Sequence, residues 1–191
     1  MYDNVIVTDA DGVFLYWEHG FHMWMVENGY RQTKPGFYNI EDKYGITKEK
    51  ADSLVDSFNE SAALKRLAPI KDAIKYIKKL HEEEGYVFHC ITAIPNTRDM
   101  YDARLENIHN LFGKTAFERL TLCGSSDNKK ELLREYDGTG CLWIEDLPKN
   151  CEMGLEYGMA CILFDRHYNR DYYNPNVTRV SNWKQIYEML A

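Results

Sequence analysis

Asp9 and Asp11 are two carboxylates spaced i, i+2. They follow directly on the apolar run Val5-Ile6-Val7-Thr8 and precede Gly12. Thr92 ends a second apolar run, and Glu145 and Asp146 end a third, Cys141-Leu142-Trp143-Ile144. A polar stretch between them holds Ser125, Asp127, Asn128, Lys129 and Lys130. Oxygen ligands without clustered His or reactive Cys suit a hard cation, Mg²⁺ above all. In such a setting an Asp can act as a nucleophile and form an aspartyl-phosphate. A second carboxyl two residues on can protonate the leaving alkoxide and later activate water. A threonine hydroxyl can donate to a phosphoryl oxygen, and a lysine can offset the gathering negative charge. Four carboxylates would repel a phosphate dianion, so both a metal cation and a lysine are needed.

The elements that must position these residues follow from the apolar pattern. Short apolar runs with β-branched members suit strands buried on both faces, and Asp is a poor strand former. The acids therefore belong where strands stop. The pattern predicts strands ending at Thr8, over 86–92, 117–123 and 141–146, and a fifth over 160–165. It predicts helices over 97–112, 128–136 and 151–159, a periodic helix opened by Pro69 and ended near Gly85, and a final helix capped by Ser181. Alternating strands and helices imply a parallel sheet covered on both faces, whose strand ends would bring all the candidate residues to one edge. Between the first strand and the helix at Pro69 lie about 55 residues of mainly helical character, too many for a plain loop. The expected architecture is α/β and Rossmann-like, with a five-stranded parallel sheet. Its core covers 1–15 and 69–191, and a small helical cap, 16–68, is inserted after the first strand.

Composition bounds the rest. At 191 residues and 45% hydrophobic, the chain suits one domain with a modest insertion. No stretch of 18 apolar residues and no secretory pattern is present. The five cysteines lack paired spacing, which suggests reduced thiols and a cytoplasmic setting. A net charge of −7 argues against long nucleic acid as a partner. The six histidines show no ligand spacing.

Asp9-Ala10-Asp11-Gly12-Val13, Thr92, the Lys129 region and Glu145-Asp146 resemble, in order and spacing, the four motifs of the haloacid dehalogenase-like phosphohydrolases. The resemblance implies that Asp9 is the nucleophile and a Mg²⁺ ligand. It implies that Asp11 is the general acid/base and offers its backbone carbonyl to the metal, that Asp146 is a metal ligand, and that Glu145 binds metal-held water. Thr92 would bind phosphate and Lys129 would stabilise both phosphate and nucleophile, with Lys130 a close alternative. Asp-Gly-Val, Leu67-Ala68-Pro69, Ile144 to Asn150 and Leu163 to Arg170 are similar to the 5′(3′)-deoxyribonucleotidase-like branch, although His167 stands near where that branch has a proline. The implied function is a Mg²⁺-dependent phosphomonoesterase acting on nucleoside monophosphates. Phosphatases for sugar phosphates or nucleic-acid ends are the alternative, and a non-catalytic binding protein on this fold is a further one. The implied partner is a small phosphomonoester; no membrane is expected, and a homodimer is left open.

Each residue also has a plainer reading. Asp-Gly is a common turn pair, and a strand-end threonine is usually a cap. A lysine in the first turn of a helix opposes the helix dipole, which favours a functional reason for Lys129. In the cap, Trp17, Phe21 and Trp24 are candidates to stack a base, yet i, i+4, i+7 spacing is first of all core packing.

Overall fold

The computed structural model describes residues 2–191. Six parallel strands form one sheet in the order β3-β2-β1-β4-β5-β6: β1 (Val5–Thr8), β2 (Val87–Thr92), β3 (Phe117–Leu122), β4 (Leu142–Glu145), β5 (Ala160–Phe164) and β6 (Val177–Val180). The expected count of five is corrected to six. β6 lies at the sheet edge beside β5, and two of its four residues are exposed. An edge strand reading Val-Thr-Arg-Val carries no apolar run, so it lacks the signal that marks a strand buried on both faces.

Eight α-helices accompany the sheet among the described residues: α1 (Trp17–Glu27), α2 (Ile40–Tyr44), α3 (Lys48–Asn59), α4 (Ala73–Glu82), α5 (Arg98–Phe112), α6 (Lys129–Leu133), α7 (Pro148–Glu156) and α8 (Trp183–Leu190). Successive side chains of a strand point to opposite faces. Ile6 accordingly joins a core with α4, α5 and α8, while Val5 and Val7 join a second core with α6 and α7. All five cysteines are free and buried.

Four helices differ from expectation, one of them α7, which runs over Pro148–Glu156 where 151–159 was expected, since Pro148 opens its first turn. α4 begins at Ala73 rather than at Pro69, because Pro69 instead forms an antiparallel bridge with Leu15, and Asp72 adopts φ 69° just before the helix. The 128–136 segment is a short α-helix flanked by 3₁₀ turns. α8 is capped by Asn182, whose side chain accepts from the Gln185 N–H, and not by Ser181.

The sheet has its topological switch point at β1 and β4, since β2 and β3 lie to one side of that pair and β5 and β6 to the other. A crevice outside the carboxyl ends of such a pair is the usual ligand site of an open α/β sheet. The helices α1 to α3 lie between β1 and β2 in sequence. The segments 14–16 and 68–70 run side by side, the Tyr16 N–H donating to the Ala68 carbonyl (2.9 Å) and the Ile70 N–H to the Phe14 carbonyl (2.9 Å).

Candidate active site

Asp9 follows β1 at the switch point, and its N–H continues the ladder by donating to the Ile144 carbonyl of β4 (2.9 Å). Asp9, Glu145 and Asp146 are all buried, and each offers one carboxylate oxygen within 4.8 Å of the others. Lys129, the first residue of α6, is 1% exposed. Its Nζ lies 2.9 Å from Asp9 Oδ1 and 2.5 Å from Glu145 Oε1. Lys130 points elsewhere and pairs with Glu156 at the surface. The register of α6 therefore separates the two lysines.

Glu145 is engaged through both oxygens. Oε1 also accepts from Asn150 Nδ2 (2.7 Å), and Oε2 accepts from the N–H groups of Asp146 and Leu147 (2.9 Å each). Asn150 is held in turn by Ser126, whose Oγ donates to its Oδ1 (2.8 Å). Asp146 Oδ2 accepts from the Tyr168 hydroxyl, and Tyr168 packs on Tyr38 at 4.7 Å between ring centroids.

One lysine facing three buried carboxylates leaves negative charge in a medium that solvates it poorly. Burial, countered by Lys129 and reinforced by Glu145 and Asp11, pushes the Asp9 carboxyl up to about 7. Burial and the neighbouring Glu145 and Asp9 likewise raise Asp146 well above its ordinary value. Burial works against the Lys129 charge, yet Asp9 and Glu145 outweigh it and its pKa is raised. A hard divalent cation fits this donor set: it supplies the missing positive charge and prefers carboxylate oxygens.

Asp11 is turned to a different partner. Its two oxygens accept from Arg104 Nη1 and Nη2, at 2.8 Å each. Thr92, at the end of β2, has a buried Oγ1 with no hydrogen-bond partner. Gly12 (φ 79°) passes so close to Asp146 that a Cβ there would lie 1.9 Å from its Oδ2. The Gly12 carbonyl accepts from Arg166 Nε (2.7 Å).

A cleft of about 490 Å³ opens from Asp9, Asp11, Lys129 and Asp146 toward Trp17, Phe21 and other residues of the α1 to α3 segment. Trp17 and Phe21 are stacked at 4.9 Å and 6°, and Trp17 Nε1 donates to Asn59 Oδ1 (3.1 Å). Trp24 packs on Phe21 and Phe58 and is not part of the cleft wall. Thus two of the three aromatics face the cleft and all three pack together. Arg104, Asn150, Ser126, Tyr38 and Arg166 were not foreseen as site residues. Asn150 and Arg166 lay in stretches similar to the deoxyribonucleotidase-like branch, and Arg104 was a charge in the apolar stripe of Met100, Ala103 and Ile108; Ser126 and Tyr38 carried no signal of their own.

Solved structures share the fold. A haloacid dehalogenase-like family hydrolase from Streptococcus pneumoniae matches with a TM-score of 0.68 at 13% identity, over 98% of each chain. The D,D-heptose 1.7-bisphosphate phosphatase of B. bronchiseptica, solved with magnesium and phosphate, matches with a TM-score of 0.63 at 11% identity, over 98% of this chain and 97% of that one. The architecture is that of the haloacid dehalogenase-like hydrolases. Within that class, residues 4–191 match the model of the 5′ nucleotidase, deoxy (pyrimidine), cytosolic type C protein family, and the chain belongs to that family. It is a phosphoric monoester hydrolase of the 5′-nucleotidase-like kind. It is also 27% identical over 197 residues to an uncharacterized 32.4 kDa protein encoded in the Gp30-rIII intergenic region of Enterobacteria phage T4, covering 95% of this chain and 67% of that protein. Among the described residues no helix is long and apolar enough to cross a membrane.

Proposed function

We propose that this protein is a Mg²⁺-dependent phosphatase of deoxynucleoside monophosphates that works through an aspartyl-phosphate on Asp9. The observation that carries the reading is the buried set of Asp9, Lys129, Glu145 and Asp146 at the floor of an aromatic-walled cleft. Asp9, Asp146 and the Asp11 backbone carbonyl would hold the metal, which when bound supplies charge neutralisation for the phosphoryl group. Glu145 has no free oxygen (both accept from Lys129, Asn150 and the backbone), so its role is to hold Lys129 and the turn after β4 rather than to reach a metal-held water.

In the first step an Asp9 oxygen attacks phosphorus, the ester P–O bond breaks, and the leaving oxygen takes a proton from Asp11. In the second, Asp11 as a carboxylate takes a proton from water, the water oxygen bonds phosphorus, and Asp9 is released with inorganic phosphate. Lys129 Nζ keeps Asp9 oriented and offsets charge, and the unpartnered Thr92 hydroxyl donates to a phosphoryl oxygen. Residues 16–68 act as a cap over the phosphate site, with Trp17 and Phe21 as the wall that meets the leaving group.

The test is a substrate panel of deoxynucleoside 5′- and 3′-monophosphates against sugar phosphates, with Mg²⁺ and with chelator, alongside Asp9→Asn. Expected are a preference for nucleotides, no turnover in chelator, and no turnover by Asp9→Asn. Equal rates on sugar phosphates would sink the substrate assignment, and residual wild-type rates in Asp9→Asn would sink the nucleophile.

A further inference from the structure

Arg104 is a fully buried guanidinium (0% exposed) whose hydrogen bonds and ion pairs among the described residues all go to Asp11. Its Nε is buried without a partner. Burying a charge is costly unless a partner compensates, and among the described residues one carboxylate is the whole compensation. The pair is also asymmetric. The Asp11 side chain is 23% exposed and lines the cleft, whereas Arg104 is sealed in the α5 packing. α5 is fixed in place by Asn107, one turn on, whose Nδ2 donates to the Leu67 carbonyl (3.1 Å). Of the two partners, Asp11 is therefore the one free to turn toward the cleft.

The fork-on-carboxylate geometry occupies both Asp11 oxygens, and a guanidinium offers donors only. It is thus matched to Asp11 after it has lost its proton and not to the carboxylic acid. We infer that Arg104 is a positioning residue that binds the deprotonated Asp11 left by the first chemical step and holds it as the base for the second. This rests on the proposed roles of Asp9 and Asp11. In balance, the proton of Asp11 goes to the leaving oxygen as the ester P–O bond breaks, the resulting carboxylate is taken up by the Arg104 fork, and a water proton later returns Asp11 to the acid as the Asp9–phosphorus bond breaks. The inference predicts a loss independent of the leaving group, because every substrate leaves the same phosphorylated Asp9 for the second step. Leaving-group dependence belongs to Asp11 as the acid of the first step, since an alkoxide needs the proton while a nitrophenolate scarcely does.

The experiment compares kcat on deoxyuridine 5′-monophosphate and on 4-nitrophenyl phosphate for wild type, Asp11→Asn, Arg104→Lys, Arg104→Gln and Asp11→Asn/Arg104→Lys, all with Mg²⁺. Arg104→Lys keeps the charge but loses the fork. It should lower kcat about tenfold or more on both substrates, with a burst of nitrophenolate before the slow phase, because the shared phosphorylated Asp9 is then hydrolysed slowly. The double variant should be no slower on the nucleotide than Asp11→Asn alone, since residues acting as a unit are non-additive. A fall on the nucleotide alone, the absence of a burst, or additive losses overturns the inference. Asn107→Ala, on the same helix, calibrates plain damage to α5, which should slow turnover without a burst. If Asp11→Asn itself fails to distinguish the two leaving groups, the acid assignment fails. If it distinguishes them and Arg104→Lys gives no burst, only the present inference fails. A measurement on wild type needs no variant to fold: the Arg104 guanidinium N–H should exchange slowly with solvent by NMR, and exchange at the rate of free arginine overturns the pairing.

Discussion

The two walls of the cleft are held by different forces. The sheet edge presents Asp9, Thr92, Glu145 and Asp146 from the ends of β1, β2 and β4, where the hydrogen-bonded ladders of neighbouring strands set each position. The opposite wall consists of Trp17, Phe21, Tyr44, Ala51 and Val55 from α1 to α3, held by side-chain packing. Phe21, for instance, meets Trp17, Tyr44 and Phe58. A backbone ladder fixes a functional atom while leaving the side chains free to be costly ones, buried acids included. A packed wall uses the same aromatics for its own core and for the ligand, so changing specificity there also disturbs stability.

The largest expected effect separates these two walls by electrostatics. Lys129→Met leaves Asp9 and Glu145 buried without their shared cation, and loss of one partner from a buried pair costs roughly 3–5 kcal/mol. Urea unfolding in chelator at neutral pH measures it; a loss of under about 1 kcal/mol would mean that the sheet edge is less dry than described. Gly12→Ala comes next. It should lower kcat/KM about a hundredfold, the effect of a displacement near 1 Å at the reacting centre, because the new Cβ displaces Asp146. Gly113 shares a positive φ (87°) but has nothing within 4 Å of its Cβ position. Gly113→Ala should therefore carry the backbone cost and spare activity. Equal activity loss in both would refute the close approach.

On the helical wall the effects shrink and divide. Trp17→Leu removes one face of the cleft and the bond to Asn59, and should raise KM for a nucleotide about tenfold, with kcat for phenyl phosphate nearly unchanged. Trp24→Leu, away from the cleft wall, should reduce stability by roughly 1–3 kcal/mol and leave KM alone. Matching KM changes in the two would erase the distinction between lining and packing aromatics.

Much of the sheet edge was legible because parallel strands turn linear order into spatial convergence. Apolar runs announced β1, β2 and β4, and the acids at their ends then had to meet. The sixth strand was illegible because Val177 and Val180 enclose the exposed Thr178 and Arg179, a pattern indistinguishable from a loop. Pro69 read as a helix opener since its fixed φ suits the first turn, but the bridge to Leu15 uses the same φ in an extended segment. Arg104 was missed for a deeper reason. A lone charge in an apolar stripe becomes meaningful only once its partner is known, and Asp11 lies 93 residues away. The roles of Tyr38 and Tyr168 depend on where two loops meet and left no periodic trace.

The smallest effect tests whether the sheet edge is a metal site in its charge balance. In metal-free protein the Asp9 carboxyl is raised by burial from an ordinary 3.8 to about 7. As pH rises, the unfolded chain loses this proton first, so between about pH 4 and pH 7 the folded state binds more protons than the unfolded state. The contribution of Asp9 to stability is therefore full below the unfolded value and is lost as pH rises through the folded one; Asp146 acts in the same direction. His89 on β2 acts oppositely. Burial lowers its pKa below 6.5, so its contribution is present above that value and is lost as pH falls. The raw pH profile mixes the two, but the difference between Mg²⁺-loaded and chelated protein isolates the acids, because His89 lies in both states and pairs with Tyr136 rather than with the acid cluster. Mg²⁺ must displace the protons on Asp9 and Asp146, so the rise in Tm that it gives should be a few degrees larger at pH 7.5 than at pH 5, roughly. A Mg²⁺-induced shift that is equal at both pH values would show that the cation binds elsewhere than between Asp9 and Asp146.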